Sequence, residues 1–146
     1  MIAVLALAAA GLAQPQLQPW SYLVGHCWRG PAPGKGIDTH CFEAVYGGQH
    51  VRDRHEVQVD GRTVYAGETI YSVEGKDAVT FTYWNSIGGI GRGKAVANGA
   101  EIDFSGDIHA TPTAPGEHFT AKWVKVDGGY AVTDDGRRND LFRRVD

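Results

Sequence analysis

Short glycine-containing turns divide most of this chain into segments of similar length. Each turn separates two runs that are rich in β-branched and aromatic residues. The turn pairs are Gly47-Gly48, Asp60-Gly61, Asn98-Gly99 and Asp135-Gly136. Pairs of this kind join adjacent antiparallel strands, and Asn-Gly is the strongest such signal. No long segment repeats apolar residues at the helical spacing i, i+3, i+4, i+7. The pattern therefore predicts an all-β protein.

The order of these segments predicts a barrel. About ten short strands follow one another between residues 20 and 146, joined mostly by tight turns. Consecutive hairpins give an antiparallel up-and-down meander, and a meander this long hides its edges most simply by closing on itself. An immunoglobulin-like sandwich is the alternative, but it needs longer crossover connections than this chain offers. With 146 residues, the chain fits one domain with a full core.

The first residues are typical of an export signal. Residues 2–13 read IAVLALAAAGLA, and small residues near their end suit a cut before Gln14. The run is too short to span a bilayer, which needs about 20 apolar residues. No lysine or arginine precedes it, which leaves open a translation start further upstream. An N-terminal core strand or helix is the other interpretation.

These features set the expected organisation of the chain. We expect a signal peptide over residues 1–13, a Pro/Gln-rich leader over 14–19 and a single barrel domain over 20–146. The location would be periplasmic or secreted. No cysteine lies near the cut, so we expect no lipid anchor and no other membrane anchor.

Two cysteines, Cys27 and Cys41, lie in the first two predicted strands. In an oxidising compartment, two cysteines pair more readily than they stay free. Closing a loop of about 15 residues would stabilise the fold by about 3 kcal/mol on the chain-entropy model. A cysteine metal site would need Cys-x-x-Cys spacing, which is absent. The sequence therefore predicts a disulfide that fixes the register of these strands.

The ends of the predicted barrel carry short motifs of a known class. Gly25-His26-Cys27-Trp28 lies on the first strand, Thr133-Asp134 near the end of the chain and Arg143-Arg144 on the last strand. They resemble the motifs of the lipocalin-like (calycin) barrels, in particular the small exported bacterial proteins of that class without assigned function. The resemblance implies that Trp28 closes one end of the barrel, with Arg143 or Arg144 stacked on its ring. A Trp28 that is simply a core residue is also compatible with it.

Alternation along the strands assigns polar side chains to the barrel interior. If Cys27 lies opposite Cys41, the Gly47-Gly48 turn places His40 opposite His55. Two residues before His55, Asp53 lies on the same inner face. The whole predicted inner polar set is His26, His40, Asp53, His55, Glu68 and Tyr83.

The assignment of side chains to the inner or outer face beyond residue 59 depends on a single turn. A two-residue turn at Asp60-Gly61 places Glu68 inside, and the next hairpin adds Tyr83. An error of one residue at this turn would send Glu68 outward and bring Tyr65 and Tyr71 inward, because a one-residue slip exchanges the two faces of a strand.

Ionisable groups in an apolar interior are costly unless they are paired or used. Three interpretations stay open: a hydrogen-bonded network, a ligand cavity in which these groups fix an otherwise apolar guest, and a metal site. The metal site would use His26, His40 and His55, with Asp53 as a further ligand, and would suit zinc or iron. Because two enclosed imidazoles cannot both be charged cheaply, we expect at least one of His40 and His55 to be neutral near pH 7.

Other sequence features add little chemistry. The glycines at 88, 89 and 91 predict a loop at the barrel mouth, with Arg92 available to an anionic guest. The net charge is -3 and no basic cluster occurs, so nucleic acid is not an expected partner. No serine lies in a nucleophile motif such as Gly-x-Ser-x-Gly.

The preferred functional prediction is an exported, monomeric barrel that binds a small apolar or amphiphilic molecule without catalysis and without a cofactor. The alternative is a metal- or acid/base-dependent enzyme that uses His26, His40, His55 and Asp53. A second alternative is an envelope protein with a filled barrel that acts through its surface, since small barrels can be solid.

Overall fold

The computed structural model describes residues 11–136 and 139–146. A 3₁₀ helix (Pro15–Trp20) precedes ten strands. The strands are β1 (Cys27–Pro31), β2 (Ile37–Val45), β3 (His50–Val59), β4 (Arg62–Glu74), β5 (Ala78–Asn85), β6 (Ile90–Asn98), β7 (Glu101–His109), β8 (Gly116–Val126), β9 (Gly129–Asp134) and β10 (Asp140–Arg144). Most of the predicted signal peptide, residues 1–10, lies outside the described residues.

The strands form a closed antiparallel barrel in meander order. Each strand pairs with its neighbours in sequence, and β1 pairs with β10 to complete the ring. The predicted fold class is confirmed, and the sandwich alternative is wrong. No helix among the residues described is long and apolar enough to cross a membrane.

The disulfide joins β1 and β2 in the predicted register. Cys27 and Cys41 are bonded and lie opposite each other on β1 and β2. The β2–β3 ladder then places His40 opposite His55. Both predicted pairs are confirmed, and with them the register that was counted through the Gly47-Gly48 turn.

A β-bulge changes the faces of β4. Val57 pairs with Tyr65, whereas Gln58 pairs with Thr63, so Val64 is an extra residue on β4. An extra residue exchanges inner and outer positions from there on. Val64 is 58% exposed, and Tyr71 is 3% exposed. The register counted through the Asp60-Gly61 turn is confirmed for Arg62 and Thr63 but is wrong by one residue from Val64 onward. The exchange of faces is the one expected for a slip at the turn, but its cause is the bulge.

One end of the barrel is filled by the segment before β1. Leu17, Trp20 and Leu23 are fully buried, and the Trp20 ring packs against Tyr71. Their spacing of three residues suits a 3₁₀ helix, which has three residues per turn. The predicted leader over residues 14–19 is thus a plug that belongs to the barrel core. We call residues 15–23 the plug.

Trp28 is buried at this end, as expected, but the arginine stack is absent. Its ring is 4% exposed and its Nε1–H donates to the Leu23 carbonyl oxygen at 3.2 Å. Arg144 is its register partner on β10, yet its Nε–H donates to the Asp146 backbone oxygen. Within residues 11–136 and 139–146, the one cation–π contact joins Lys125 and Tyr22. Neither Arg143 nor Arg144 therefore covers Trp28, and that prediction was wrong.

Candidate ligand cavity and polar cluster

A cavity of about 490 Å³ enters the barrel from the end that the plug leaves free. Pro31, which ends β1, and Pro33 in the loop that follows are among the residues that line it. Aromatic residues are the largest group in its wall. The aromatic residues that line it are Tyr71, Phe81, Tyr83, Phe104, Phe119, Trp123, Tyr130 and Phe142.

One side of the cavity is polar. Inward positions on four neighbouring strands bring six hydrogen-bonding side chains together, because alternate residues of a strand share a face. We call this set the polar cluster; its members are Asp38 and His40 on β2, Asp53 and His55 on β3, Tyr65 on β4 and Tyr83 on β5.

His40 lies between two carboxylates. Its Nδ1 is 2.8 Å from Asp53 Oδ2, and its Nε2 is 3.2 Å from Asp38 Oδ2. Burial alone lowers the pKa of His40, but the charge of Asp53 and the hydrogen bonds to both carboxylates outweigh it and raise the pKa to about 10. Both ring nitrogens therefore donate, and His40 is an imidazolium at neutral pH.

Asp38 links the two histidines. Its Oδ1 is 3.0 Å from His55 Nδ1, while its Oδ2 faces His40. Burial raises the pKa of Asp38, but the hydrogen bonds from His40 and His55 outweigh burial and hold the pKa well below its usual range. Asp38 is therefore a carboxylate at neutral pH, although its side chain is only 16% exposed.

The network continues into two tyrosines. The Tyr83 hydroxyl lies 3.2 Å from His55 Nε2 and 2.5 Å from the Tyr65 hydroxyl. Burial, and then the hydrogen bond to Tyr65, raises the pKa of Tyr83 well above its usual range. Tyr83 is thus a neutral phenol, whose hydroxyl can donate one hydrogen bond.

Gly67 makes the contact between His55 and Tyr83 sterically feasible. It lies opposite His55 on the β3–β4 ladder. A Cβ at Gly67 would overlap both His55 Nε2 and the Tyr83 ring. The absence of a side chain there lets the two groups meet.

The His40 and His55 rings stack on one another. Their centroids are 4.6 Å apart and their planes differ by 18°. The expectation that at least one ring of this pair is neutral near pH 7 stays a prediction.

Three residues predicted for this site lie elsewhere. His26 lies just before β1, after a turn at Gly25 (φ 85°). Its Nδ1 is 3.5 Å from Asp146 Oδ1 at the end of the chain, and it is not part of the polar cluster. Glu68 lies opposite Arg54 on the outer face, because of the bulge in β4. Arg92 is an exposed outer residue of β6, opposite Asp107, and it is not in a mouth loop. The predicted inward positions of His26 and Glu68 and the predicted position of Arg92 were wrong.

The sequence interpretation missed Asp38, and it placed Tyr65 inside only in the alternative register. Asp38 was not counted in the predicted inner polar set, although β2 begins at Ile37 and includes it. A signal was present: Asp38-x-His40 on β2 repeats the Asp53-x-His55 spacing on β3. Two such pairs on adjacent strands place four polar groups on one face.

Asp38, His40 and His55 can also hold a metal ion. Each offers one ligand atom, and these atoms lie within 4.8 Å of one another. His26 is not part of this group, so the predicted three-histidine set is not formed among the described residues.

Comparison with known proteins supports the fold. No protein-family model and no curated protein matches the chain. The crystal structure of Rv2717c from M. tuberculosis is similar, with a TM-score of 0.64 and 17% sequence identity, over 91% of this chain and 99% of that chain. At this identity the likeness concerns the barrel fold alone.

Proposed function

We propose that this protein binds a small, largely apolar, uncharged molecule inside its barrel, as an exported member of the lipocalin-like class. The observation that carries the proposal is the open cavity of about 490 Å³ with aromatic walls and one polar side. Ligand cavities are typically about 300–1,000 Å³, mostly apolar, with a few polar groups that orient the ligand. The cavity also disfavours a filled barrel that acts through its surface.

The charge of the lining favours an uncharged guest. The charged side chains at the cavity are histidines and aspartates; among the lining residues that the structure describes, none is a lysine or arginine. Among the described lining residues, a carboxylate or phosphate on the guest would meet Asp38, whose neighbour His40 is already paired with Asp38 and Asp53. Desolvating such an anion is costly unless it is paired.

The polar cluster supplies the orienting contacts. Tyr83, His55 and Asp38 all line the cavity. A hydroxyl or amine of the guest can donate to Asp38 or to the Tyr83 oxygen. The aromatic wall then covers the apolar part of the guest, which matches an amphiphile with one small polar group.

Export fits the disulfide, which is typical of an oxidising, extracellular environment. The proposal includes cleavage before Gln14. Such a cut would remove the Ala13 N–H that donates to the Gly48 carbonyl oxygen at 2.9 Å, but it would leave the whole plug in place. N-terminal sequencing of protein from the bacterial periplasm should begin at Gln14; an intact residue 1–13 segment there would contradict the signal peptide.

Binding can be tested with N-phenyl-1-naphthylamine, a neutral apolar fluorophore, titrated into untagged protein in the presence of EDTA. Ala121→Phe adds a ring to the cavity lining, whereas Val96→Phe adds the same ring on the outer face, where Val96 is 63% exposed. We expect saturable binding that Ala121→Phe weakens by about tenfold or more and that Val96→Phe leaves unchanged.

The proposal fails if the parent protein shows no saturable binding, or if both variants bind equally. Circular dichroism and melting curves must first show that Ala121→Phe is folded. Native mass spectrometry of protein purified from periplasm then identifies the natural guest by its mass.

A further inference from the structure

We infer that Asp38, His40 and His55 form a binding site for one divalent transition-metal ion, of the zinc or ferrous iron type. The ion would be held by Asp38 through a carboxylate oxygen and by one nitrogen of each imidazole. This inference goes beyond the binding of an apolar guest and does not depend on it.

The spacing of the ligand atoms suits a small metal ion. Asp38 Oδ2 is 3.2 Å from His40 Nε2, and Asp38 Oδ1 is 3.0 Å from His55 Nδ1. Zinc lies about 2.0–2.1 Å from nitrogen and oxygen ligands, so neighbouring ligand atoms of a tetrahedral site are about 3.3 Å apart. One ligand atom from each of the three residues lies within 4.8 Å of the other two, so the side chains would have to draw closer around the ion to form a three-ligand site.

Both histidines have outer partners that would orient them. Asp53 lies 2.8 Å from His40 Nδ1 and is 2% exposed, so it holds Nε2 towards Asp38. The Tyr83 hydroxyl lies 3.2 Å from His55 Nε2 and holds Nδ1 towards Asp38 in the same way. Metal-binding histidines almost always have such a partner on the second nitrogen. A simple ion pair between a histidine and an aspartate does not require this arrangement on two adjacent rings.

The site would keep an open coordination position. All three ligands line the cavity, so a fourth ligand can come from water or from a guest in the barrel. Three protein ligands with an open position are typical of sites that exchange ligands, whereas structural zinc sites have four protein ligands. Two imidazoles and one carboxylate suit zinc or ferrous iron. On binding, the metal would replace the proton between His40 and Asp38.

The test uses untagged, chelator-treated protein titrated with Co²⁺ and Zn²⁺. We expect one Co²⁺ per chain with the visible absorption of a four- or five-coordinate site, and stoichiometric Zn²⁺ by calorimetry. His55→Gln and Asp38→Asn should abolish stoichiometric uptake. Asp53→Asn should weaken it by about 10- to 100-fold, because Asp53 acts as an outer partner.

His118→Gln is the matched control. His118 also lies 3.1 Å from an aspartate, Asp107, but on the exposed surface. The metal uptake of the His118→Gln variant should therefore equal that of the parent protein. The inference is overturned if the parent takes up no stoichiometric metal, or if His55→Gln and Asp38→Asn, shown to be folded by circular dichroism, bind as the parent does. Binding of N-phenyl-1-naphthylamine in EDTA is scored separately, so failure of the metal site leaves the guest-binding proposal standing, and the reverse also holds.

Discussion

His40 and Asp53 form a buried, charge-assisted hydrogen bond between adjacent strands, with Nδ1 2.8 Å from Oδ2. Asp53 is the one charged residue among the buried positions of the described chain, with 2% exposure. A buried carboxylate is tolerated when a partner cation compensates it. The protonated His40 ring is that partner, so the pair should respond strongly to the loss of either member.

Replacement of Asp53 by alanine should therefore destabilise the protein by about 3–5 kcal/mol, as expected when one partner of a buried pair is removed. The free energy of unfolding in urea, measured at pH 6 with EDTA, gives the value. Asp107→Ala, which removes the exposed partner of His118, is the control and should change little. Equal effects of the two substitutions would contradict the importance of the buried pair.

Stability should depend on pH through the same network. The pKa of His40 is raised from 6.5 to about 10, so its contribution is fully present below pH 6.5 and is lost as the pH rises towards 10. The pKa of Asp38 is lowered from 3.8, so its contribution is present above that pH and is lost as the pH falls below it.

The polar cluster should thus contribute most to the free energy of unfolding of the metal-free protein between about pH 4 and 6.5. Urea unfolding between pH 5 and 10 tests the alkaline side. His40→Gln should flatten the decline above pH 6.5 relative to the parent, because it removes the titrating ring. A decline of the same size in His40→Gln would show that other groups cause it.

Gly67→Ala should disrupt the contact between His55 and Tyr83. The added Cβ would overlap both groups, so we expect a loss of about 1–3 kcal/mol, as for overpacking of a core. Gly91→Ala is the matched control, since a Cβ there would meet its nearest neighbours at ordinary distances of 3.5 and 3.6 Å. Urea unfolding of both variants gives the comparison, and equal stability would mean that Gly67 is not needed for the contact.

Trp20→Ala should be among the most destabilising substitutions in the chain. The ring is fully buried in the plug, and truncation of such a residue costs about 3–5 kcal/mol. Trp84→Ala, at a tryptophan that is 45% exposed on the barrel wall, should cost much less. The measurement is the melting temperature of each variant. If the two melting temperatures are equal, the plug contributes little to the stability of the core.

The fold and part of the site could be predicted from the sequence because regular antiparallel ladders allow the facing of each side chain to be counted. Once Cys27 is opposite Cys41, the turn at Gly47-Gly48 determines the pairing of β2 with β3, because side chains alternate strictly along a regular ladder. His40 and His55 were placed correctly for that reason. Tyr83 was also placed correctly on the inner face, where it lines the cavity.

The errors come from irregular backbone. The bulged residue, Val64, lies opposite Val57 and Gln58, and nothing in the composition of this segment indicates a bulge. The inner face of β4 was therefore assigned wrongly. The turn at Gly25 takes His26 out of the regular ladder. The plug was interpreted as a leader because a 3₁₀ helix does not have the 3.6-residue repeat by which amphipathic helices are recognised.

The same bulge has an evolutionary consequence. With Val64 present, the barrel interior receives one set of alternate β4 residues, which is Tyr65, Gly67, Thr69 and Tyr71. Loss of the Val64 codon would make the ladder regular, yet Tyr65 would still pair with Val57, so the same set would stay inside. The opposite set, which is Val64, Ala66, Glu68 and Ile70, would face inward only if the bulge closed with no residue lost. The barrel can therefore absorb the gain or loss of one residue at this position during evolution without exchanging the two faces of β4.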